Sequence, residues 1–125
     1  MLFTNFKEYM WLTKAIIIFS GVSFLFFGIS CLFSNFMVLE FKRYDLEKFR
    51  VLVGLLQLLG SLGLLLGFFS KNWAILASLG LAVLMAIGFM VRVKIKDPFI
   101  LSFPSLFYAV LNMILFVILF RFENE

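Results

Sequence analysis

Four long stretches without a charged side chain dominate this 125-residue sequence. They run from Ala15 to Leu39, Val51 to Ser70, Asn72 to Val91 and Pro98 to Phe120. A hydrocarbon core about 30 Å thick is crossed by about 20 apolar residues in a helix. Helices are required because the bilayer interior offers no water to backbone N–H and C=O groups. The pattern therefore predicts an all-α, membrane-spanning four-helix bundle with spans at about 15–39, 51–70, 73–91 and 98–120.

The rest of the chain is too short to form a second domain. Hydrophobic residues make up 64% of the sequence and charged residues 14%, whereas soluble domains have about half and a quarter. The breaks at 70–72 and 92–97 are short, so neighbouring spans must run antiparallel in an up-down-up-down order. Residues 1–14 have apolar side chains at roughly helical spacing and predict a short amphipathic N-terminal lead-in. We expect a single integral membrane domain over 1–125.

The missing residue types exclude several chemistries. The chain has no His and one Cys, Cys31, so it lacks an imidazole relay, an intramolecular disulfide and a Cys-x-x-Cys redox pair. None of the four uncharged stretches contains a carboxylate, which a proton-coupled antiporter would need. We therefore expect no catalytic residue, no metal site and no cofactor that the sequence itself demands.

Basic residues are distributed unevenly between the two sides of the predicted bundle. The two charged loops carry Lys42, Arg43, Lys48, Arg50, Arg92, Lys94 and Lys96, whereas the side with both termini carries Lys7, Lys14, Lys71 and Arg121. This bias predicts loops in the cytoplasm and both termini outside. No basic patch is large enough for nucleic acid. The usage of Phe, Ile, Lys and Asn suggests a bacterial inner (cytoplasmic) membrane.

Small residues recur on the predicted helices at spacings that permit close helix packing. The stripe consists of Gly54, Gly60, Gly63 and Gly67 on the second span and Ala74, Ser78, Ala82 and Ala86 on the third. Two interpretations stay open for it. The residues could pack the bundle internally, or part of the stripe could be left for a membrane-protein partner or a second copy of the chain.

A few polar residues inside the spans are the candidates for a ligand site. Gln57 lies about 10 Å in from Arg50 at helical rise, and Ser105 reaches a similar depth from the same side. The i, i+3, i+7 spacing places Ser105, Tyr108 and Asn112 on one helix face. These residues predict a polar pocket with Arg50 and Tyr44 at its mouth. Alternatively, Gln57 and Asn112 only hydrogen-bond across helices.

Two segments resemble the DoxX-like family of small four-helix membrane proteins. They are FKRYDLEKFRVLVGLLQLLGSLGLLLGF (41–68) and LASLGLAVLMAIGFMVRVKIKD (76–97). The matching features are an aromatic-basic stretch before the helix, then Arg50, Gly54, Gln57, Gly60, Gly63 and the three leucines at 64–66. The chain has Tyr-Asp-Leu-Glu at 44–47 where the family pattern leads us to expect a Gly-Leu-Pro-like turn.

The resemblance implies several roles. Founding members are subunits of a thiosulfate:quinone oxidoreductase, other bacterial relatives are associated with redox partner proteins, and a distant animal branch assists assembly of ligand-gated ion channels. Our first hypothesis is a non-catalytic accessory or assembly subunit of a larger membrane complex. The second is a quinone- or lipid-binding subunit of a membrane redox system, with an isoprenoid quinone as candidate cofactor. A small channel or transporter ranks third.

Overall fold

The computed structural model describes residues 6–122 and the side-chain surroundings of residues 11–121. Its helices are α1 (Phe6–Phe33), α2 (Asn35–Arg43), a 3₁₀ turn (Glu47–Phe49), α3 (Arg50–Leu66), α4 (Lys71–Lys94) and α5 (Phe99–Phe122). Four segments are long and apolar enough to cross a bilayer: Trp11–Phe33, Glu47–Leu66, Lys71–Lys94 and Phe99–Arg121. The predicted all-α membrane bundle is confirmed.

The first spanning helix is shorter at its C-terminal side than the predicted span. It ends at Phe33 because Ser34 takes an extended conformation (φ −82°, ψ 130°), and residues 35–43 form the separate helix α2. The guanidinium of Arg50 donates from Nη1 to the carbonyl oxygens of Cys31 (2.6 Å) and Leu32 (3.0 Å). These carbonyls belong to the last turn of α1, where the helix supplies no partners of its own.

The other predicted bounds also shift by a few residues. The second span ends at Leu66, and Gly67–Phe69 form a turn before Ser70, which precedes the first residue of α4. Of the predicted lead-in, residues 1–5 lie outside the described residues, and the backbone from Phe6 onward is continuous with α1. Asp45 adopts a positive φ of 61° in the α2–α3 connection, a conformation that Asp tolerates better than most residues. This is the turn where the family pattern leads us to expect glycine.

The spanning helices form a ring in the order α1, α3, α4, α5, and α5 packs back on α1. We call the side with α2, the 3₁₀ turn and the α4–α5 connection the loop end. The opposite side, with the start of α1, the α3–α4 turn and the end of α5, is the terminal end. The buried core consists of Ile16, Ile17, Phe24, Leu64, Ala74, Leu81, Leu115 and Leu119. It occupies the bundle from its middle to the terminal end.

Large apolar side chains cover the outside of the bundle. Phe26 is 68% exposed, Leu76 is 68% exposed and Ile100 is 80% exposed, and all three lie within spanning helices. A water-soluble monomer rarely exposes apolar surface of this extent. The chain is a multi-pass membrane protein whose outer surface contacts lipid.

The small residues predicted to form a packing stripe bring α3 against α4. A Cβ atom added at Gly63 would lie 2.8 Å from the Cβ of Ala77, and one added at Gly60 would lie 2.5 Å from Cδ2 of Leu81. A Cβ at Gly67 would collide with Ala74. On α4, Ala74, Ser78 and Ala82 are buried and Ala86 is exposed, while Gly54 faces Cys31 and Leu32 of α1. Most of the stripe therefore packs within the chain.

Candidate functional site

A cavity of about 300 Å³ lies inside the loop end of the bundle. All four spanning helices and α2 contribute to its lining. On α4 the lining extends from Leu84 to Arg92, eight residue steps that rise about 12 Å in a helix. Leu84 lies near the middle of α4, and Arg92 lies in its last turn. The cavity therefore extends from the loop end to about the centre of the bundle.

Gln57 belongs to the inner part of this cavity. Its side chain lines the cavity and the residue is only 5% exposed. Its Oε1 atom is buried and has no hydrogen-bond partner. Leaving a buried acceptor unpaired costs about 1–3 kcal/mol, so such atoms are rare in folded proteins. Because the terminal torsion of a glutamine is soft, a small rotation can turn this oxygen toward a bound molecule.

Tyr108 on α5 and Phe27 on α1 form an aromatic corner in the inner cavity. Their rings meet edge to face with centroids 5.2 Å apart and planes at 89°. The hydroxyl of Tyr108 donates to Oγ of Ser23 at 2.9 Å, which commits its proton to α1. The rings give this part of the cavity flat apolar walls, and the Tyr108 oxygen keeps a lone pair.

Tyr44 lies at the outer part of the cavity, next to Arg92. The guanidinium carbons of Arg43 and Arg92 lie 5.3 Å and 5.2 Å from the centre of its ring, within the range of cation–π attraction. Its hydroxyl oxygen is buried and has no hydrogen-bond partner. Burial raises the pKa of the Tyr44 phenol, although the Arg92 charge opposes this effect. The hydroxyl therefore stays protonated and can donate.

A charge cluster holds α2 to the α4–α5 connection beside the cavity. Arg43 donates from Nε and Nη2 to Glu40 (2.8 and 3.1 Å) and from Nη1 and Nη2 to Asp97 (2.6 and 3.2 Å). Hydrogen bonds from Arg43 hold the pKa of the Asp97 carboxyl below its ordinary value. Arg92 makes only a 3.5 Å contact with Oδ2 of Asp97. Arg43 is thus matched by two carboxylates, while Arg92 shares a carboxylate that is already engaged.

The structure brings four of the six predicted pocket residues into this cavity: Gln57, Ser105, Tyr108 and Tyr44. Arg50 does not line it, because its guanidinium caps the end of α1. Asn112 is fully buried one turn below Tyr108, where its Oδ1 accepts from Ser20 (3.1 Å) and its Nδ2 donates to the Tyr108 carbonyl (2.9 Å). The cross-helix alternative thus describes Asn112, whereas Gln57 has an unpaired oxygen.

Sequence reasoning missed Arg92 as a member of the site. It counted this residue only among the basic residues that predict topology, because it follows the third uncharged stretch directly. One signal in the sequence could have found it. Asp97 is the carboxylate nearest to Arg92 in sequence, and this short separation indicates an ion pair within the α4–α5 connection. Its approach to Tyr44, 48 residues earlier, carries no sequence signal.

The donor set of the cavity suits the polar groups of an organic molecule rather than a metal ion. Its polar groups are an amide, hydroxyls and a guanidinium. Across the part of the chain that the structure describes, three or more His, Cys, Asp or Glu side chains do not come together in a metal-binding group.

The chain matches the model of a known protein family. The model of the DoxX-like family matches residues 12–115, which is well over half of the chain. The searches of curated proteins and of solved structures found no match to the chain. The chain therefore belongs to the DoxX-like family.

Proposed function

We propose that this DoxX-like membrane protein binds an amphipathic molecule from the bilayer in the loop-end cavity, with a polar group of that molecule against Gln57. The observation that carries the proposal is the unpaired Oε1 atom of Gln57, on a residue that is 95% buried and lines the cavity. The quinone- or lipid-binding hypothesis from the sequence is of this class.

The energetic argument rests on the cost of the unpaired oxygen. A leucine at position 57 would fill similar space without that cost, so the amide makes the ligand-free protein less stable than it could be. A ligand that donates a hydrogen bond to Oε1 recovers this free energy only when it is bound. Destabilisation at a binding site is the usual consequence of keeping a site ready for its ligand.

The size and the walls of the cavity suit a ring or a headgroup. A volume of about 300 Å³ lies at the lower end of the range for small-molecule pockets, which is too small for a two-chain lipid. Phe27, Val53 and Met85 supply apolar walls beside the Tyr108 ring. The ring of an isoprenoid quinone in its reduced, hydroxyl-bearing form, or the glycerol and first methylenes of a lipid, would match this combination of apolar walls and few polar groups.

Native mass spectrometry of protein purified from its own membranes in mild detergent tests the proposal. Wild-type protein should retain a small molecule, and Gln57→Leu should lose most of it. Ser61→Ala is a matched control, since it removes another buried polar group from α3, one turn deeper and outside the cavity lining. Equal retention by wild type and Gln57→Leu would refute a role for this amide, and no retained molecule in either would count against the cavity as a binding site.

The accessory-subunit hypothesis stays a prediction. Its sequence motivation was a stripe of small residues left free for a partner, and Gly60, Gly63 and Gly67 face α4 of the same chain. The same mass spectra test it, because a retained protein subunit or a dimer mass would support an assembly role. The third hypothesis, a channel or transporter, requires a continuous polar path across the bilayer. Beyond the inner end of the cavity, the bundle is instead filled by the apolar side chains of Phe24, Leu64 and Leu81.

We also propose that the loop end faces the cytoplasm of a bacterium and that both termini lie outside. The support is the excess of basic residues at the loop end, seven against four on the other side. Cysteine labelling of intact cells tests this orientation in a Cys31→Ser background. A single cysteine at Lys71 should react with an impermeant maleimide, and one at Lys96 should not.

A further inference from the structure

We infer that the cavity selects a molecule with polar groups at both ends, a hydroxyl at the inner end and an anionic group such as a carboxylate at the outer end. This inference rests on the proposed binding function and specifies the ligand class. It comes from the different hydrogen-bonding characters of the two ends of the cavity.

The inner end offers acceptors. Gln57 presents an unpaired Oε1, and the Tyr108 hydroxyl already donates its hydrogen bond to Ser23, so its oxygen can only accept. A ligand carbonyl can only accept hydrogen bonds, so it would leave Oε1 unpaired. A hydroxyl donates to Oε1 and can also accept from the amide nitrogen of the same side chain. A hydroxyl therefore satisfies both atoms of the Gln57 amide, whereas a carbonyl does not.

The outer end offers donors and positive charge. Tyr44 has a buried hydroxyl without a partner, and Arg92 has N–H groups beyond its single long contact with Asp97. The loop end as a whole carries seven basic residues against four acidic ones, Glu40, Asp45, Glu47 and Asp97. Arg43 is paired with two of these carboxylates, and Arg50 caps α1. Arg92 is thus the cation placed to meet an anion in the cavity.

The distance between the two ends sets the length of the molecule. Leu84 and Arg92 lie about 12 Å apart along α4, and Leu84, Gln57 and Tyr108 all belong to the inner end. An extended chain covers this distance with about ten atoms. Apolar side chains line the space between the ends, including Met85, Ile87 and Val91. A hydroxylated acid with an apolar middle of this length fits both ends at once.

Three probes of one chain length test the inference on the full protein in lipid nanodiscs: ω-hydroxydecanoate, decanoate and the corresponding α,ω-diol. Decanoate lacks the inner hydroxyl, and the diol lacks the outer carboxylate. We expect the hydroxy acid to bind about tenfold more tightly than either probe, because decanoate leaves Oε1 of Gln57 unpaired and the diol has no negative charge to meet Arg92. Binding is read at neutral pH by displacement of a fluorescent fatty acid.

Two variants assign the preferences to the two ends. Gln57→Leu should abolish the tenfold preference for hydroxydecanoate over decanoate and keep the preference over the diol. Arg92→Gln should do the reverse. Arg121→Gln, which removes an exposed arginine at the terminal end, serves as the charge control and should keep both preferences.

The outcomes separate this inference from the proposed function. Equal binding of the three probes to wild type would overturn the inferred ligand class, while a small molecule retained in native spectra would still support binding in the cavity. Failure of every probe to bind would also overturn it. A loss of both preferences in Gln57→Leu would overturn the assignment of separate ends.

Discussion

The same helices pack differently at the two ends of the bundle. At the terminal end and in the middle, glycine and alanine bring α3 and α4 into direct contact, and Ser20, Ser61, Ser78 and Asn112 each make a hydrogen bond. At the loop end the helices enclose a cavity, and two buried polar atoms, Oε1 of Gln57 and the hydroxyl of Tyr44, have no partner. The comparison indicates that the terminal end is the closely packed part of the bundle, and it fits the proposal of a binding site at the loop end.

The charge cluster explains how the loop end keeps its shape around a cavity. Arg43 ties α2 to Asp97 of the α4–α5 connection, and Arg50 ties the end of α1 to α3. These contacts lie around the cavity and add to the close packing of α3 on α1 at Gly54. If the comparison is right, substitutions with similar chemistry should have opposite effects at the two ends.

The largest effect should come from filling the close contact between α3 and α4. Gly63→Leu should lower the free energy of unfolding by about 3 kcal/mol, because its Cβ meets the Cβ of Ala77, which cannot rotate away. Gly80→Leu is the matched control, since a Cβ at Gly80 meets nothing within 4 Å. It should leave stability unchanged or slightly raise it. Equilibrium unfolding in detergent checks both, and similar losses for the two variants would contradict close packing at Gly63.

The next effect has opposite signs at two positions one turn apart on α3. Gln57→Leu should raise the free energy of unfolding of ligand-free protein by about 1–3 kcal/mol, because it removes an unpaired buried oxygen. Ser61→Ala should lower it by about 0.6–1 kcal/mol, because the Ser61 hydroxyl donates to the Gly21 carbonyl at 2.6 Å. Equilibrium unfolding of delipidated protein in detergent measures the change in the free energy of unfolding for both variants. A loss of stability in Gln57→Leu would mean that the amide is satisfied in the folded protein.

A smaller effect should come from the polar pair of the terminal half. Asn112→Leu should lower the free energy of unfolding by about 1 kcal/mol, since it leaves the Ser20 hydroxyl without its partner. A double-mutant cycle with Ser20→Ala isolates the pair, with an expected coupling of about 0.6 kcal/mol. Additive effects of the two substitutions would show that this hydrogen bond contributes nothing measurable.

The smallest effect should be a pH dependence confined to the loop end. Arg43 depresses the pKa of Asp97 in the folded protein. The Asp97 carboxylate therefore contributes fully to the free energy of unfolding above the ordinary aspartate pKa of about 3.9. This contribution is lost as the pH falls through the lower pKa that Asp97 has in the folded protein. Thermal unfolding followed from about pH 6 down to about pH 3 should show this acid loss. The loss should be smaller in Asp97→Asn, which is also less stable at neutral pH. Asp45→Asn, an exposed carboxylate of the same end, should keep the wild-type profile.

Several features of the site could be predicted from local sequence, and others could not. Helical period and depth were enough to propose Gln57, Ser105 and Tyr108 for one pocket, because these quantities depend on one helix at a time. Asn112 shares the face of Tyr108 by the same period, yet it lies one turn deeper, where Ser20 of α1 meets it. Arg50 lies at the predicted depth, but the end of α1 is close enough to take its guanidinium. In both cases the contact with α1 determines where the side chain lies, and a pattern within a single helix does not contain that contact.

The sequence by itself determined the solvent, the number of spans and their antiparallel order. These follow from the length of the uncharged stretches and the shortness of the turns, since the bilayer forces every such stretch into a helix. Only the tertiary structure decided where α1 ends, that α2 forms a separate helix at the loop end, and that Arg92 meets Tyr44 across 48 residues of chain. The physical reason is that apolar period and charge specify the environment of each helix, while the register between helices is set by contacts such as Gly63 with Ala77 and Arg43 with Asp97.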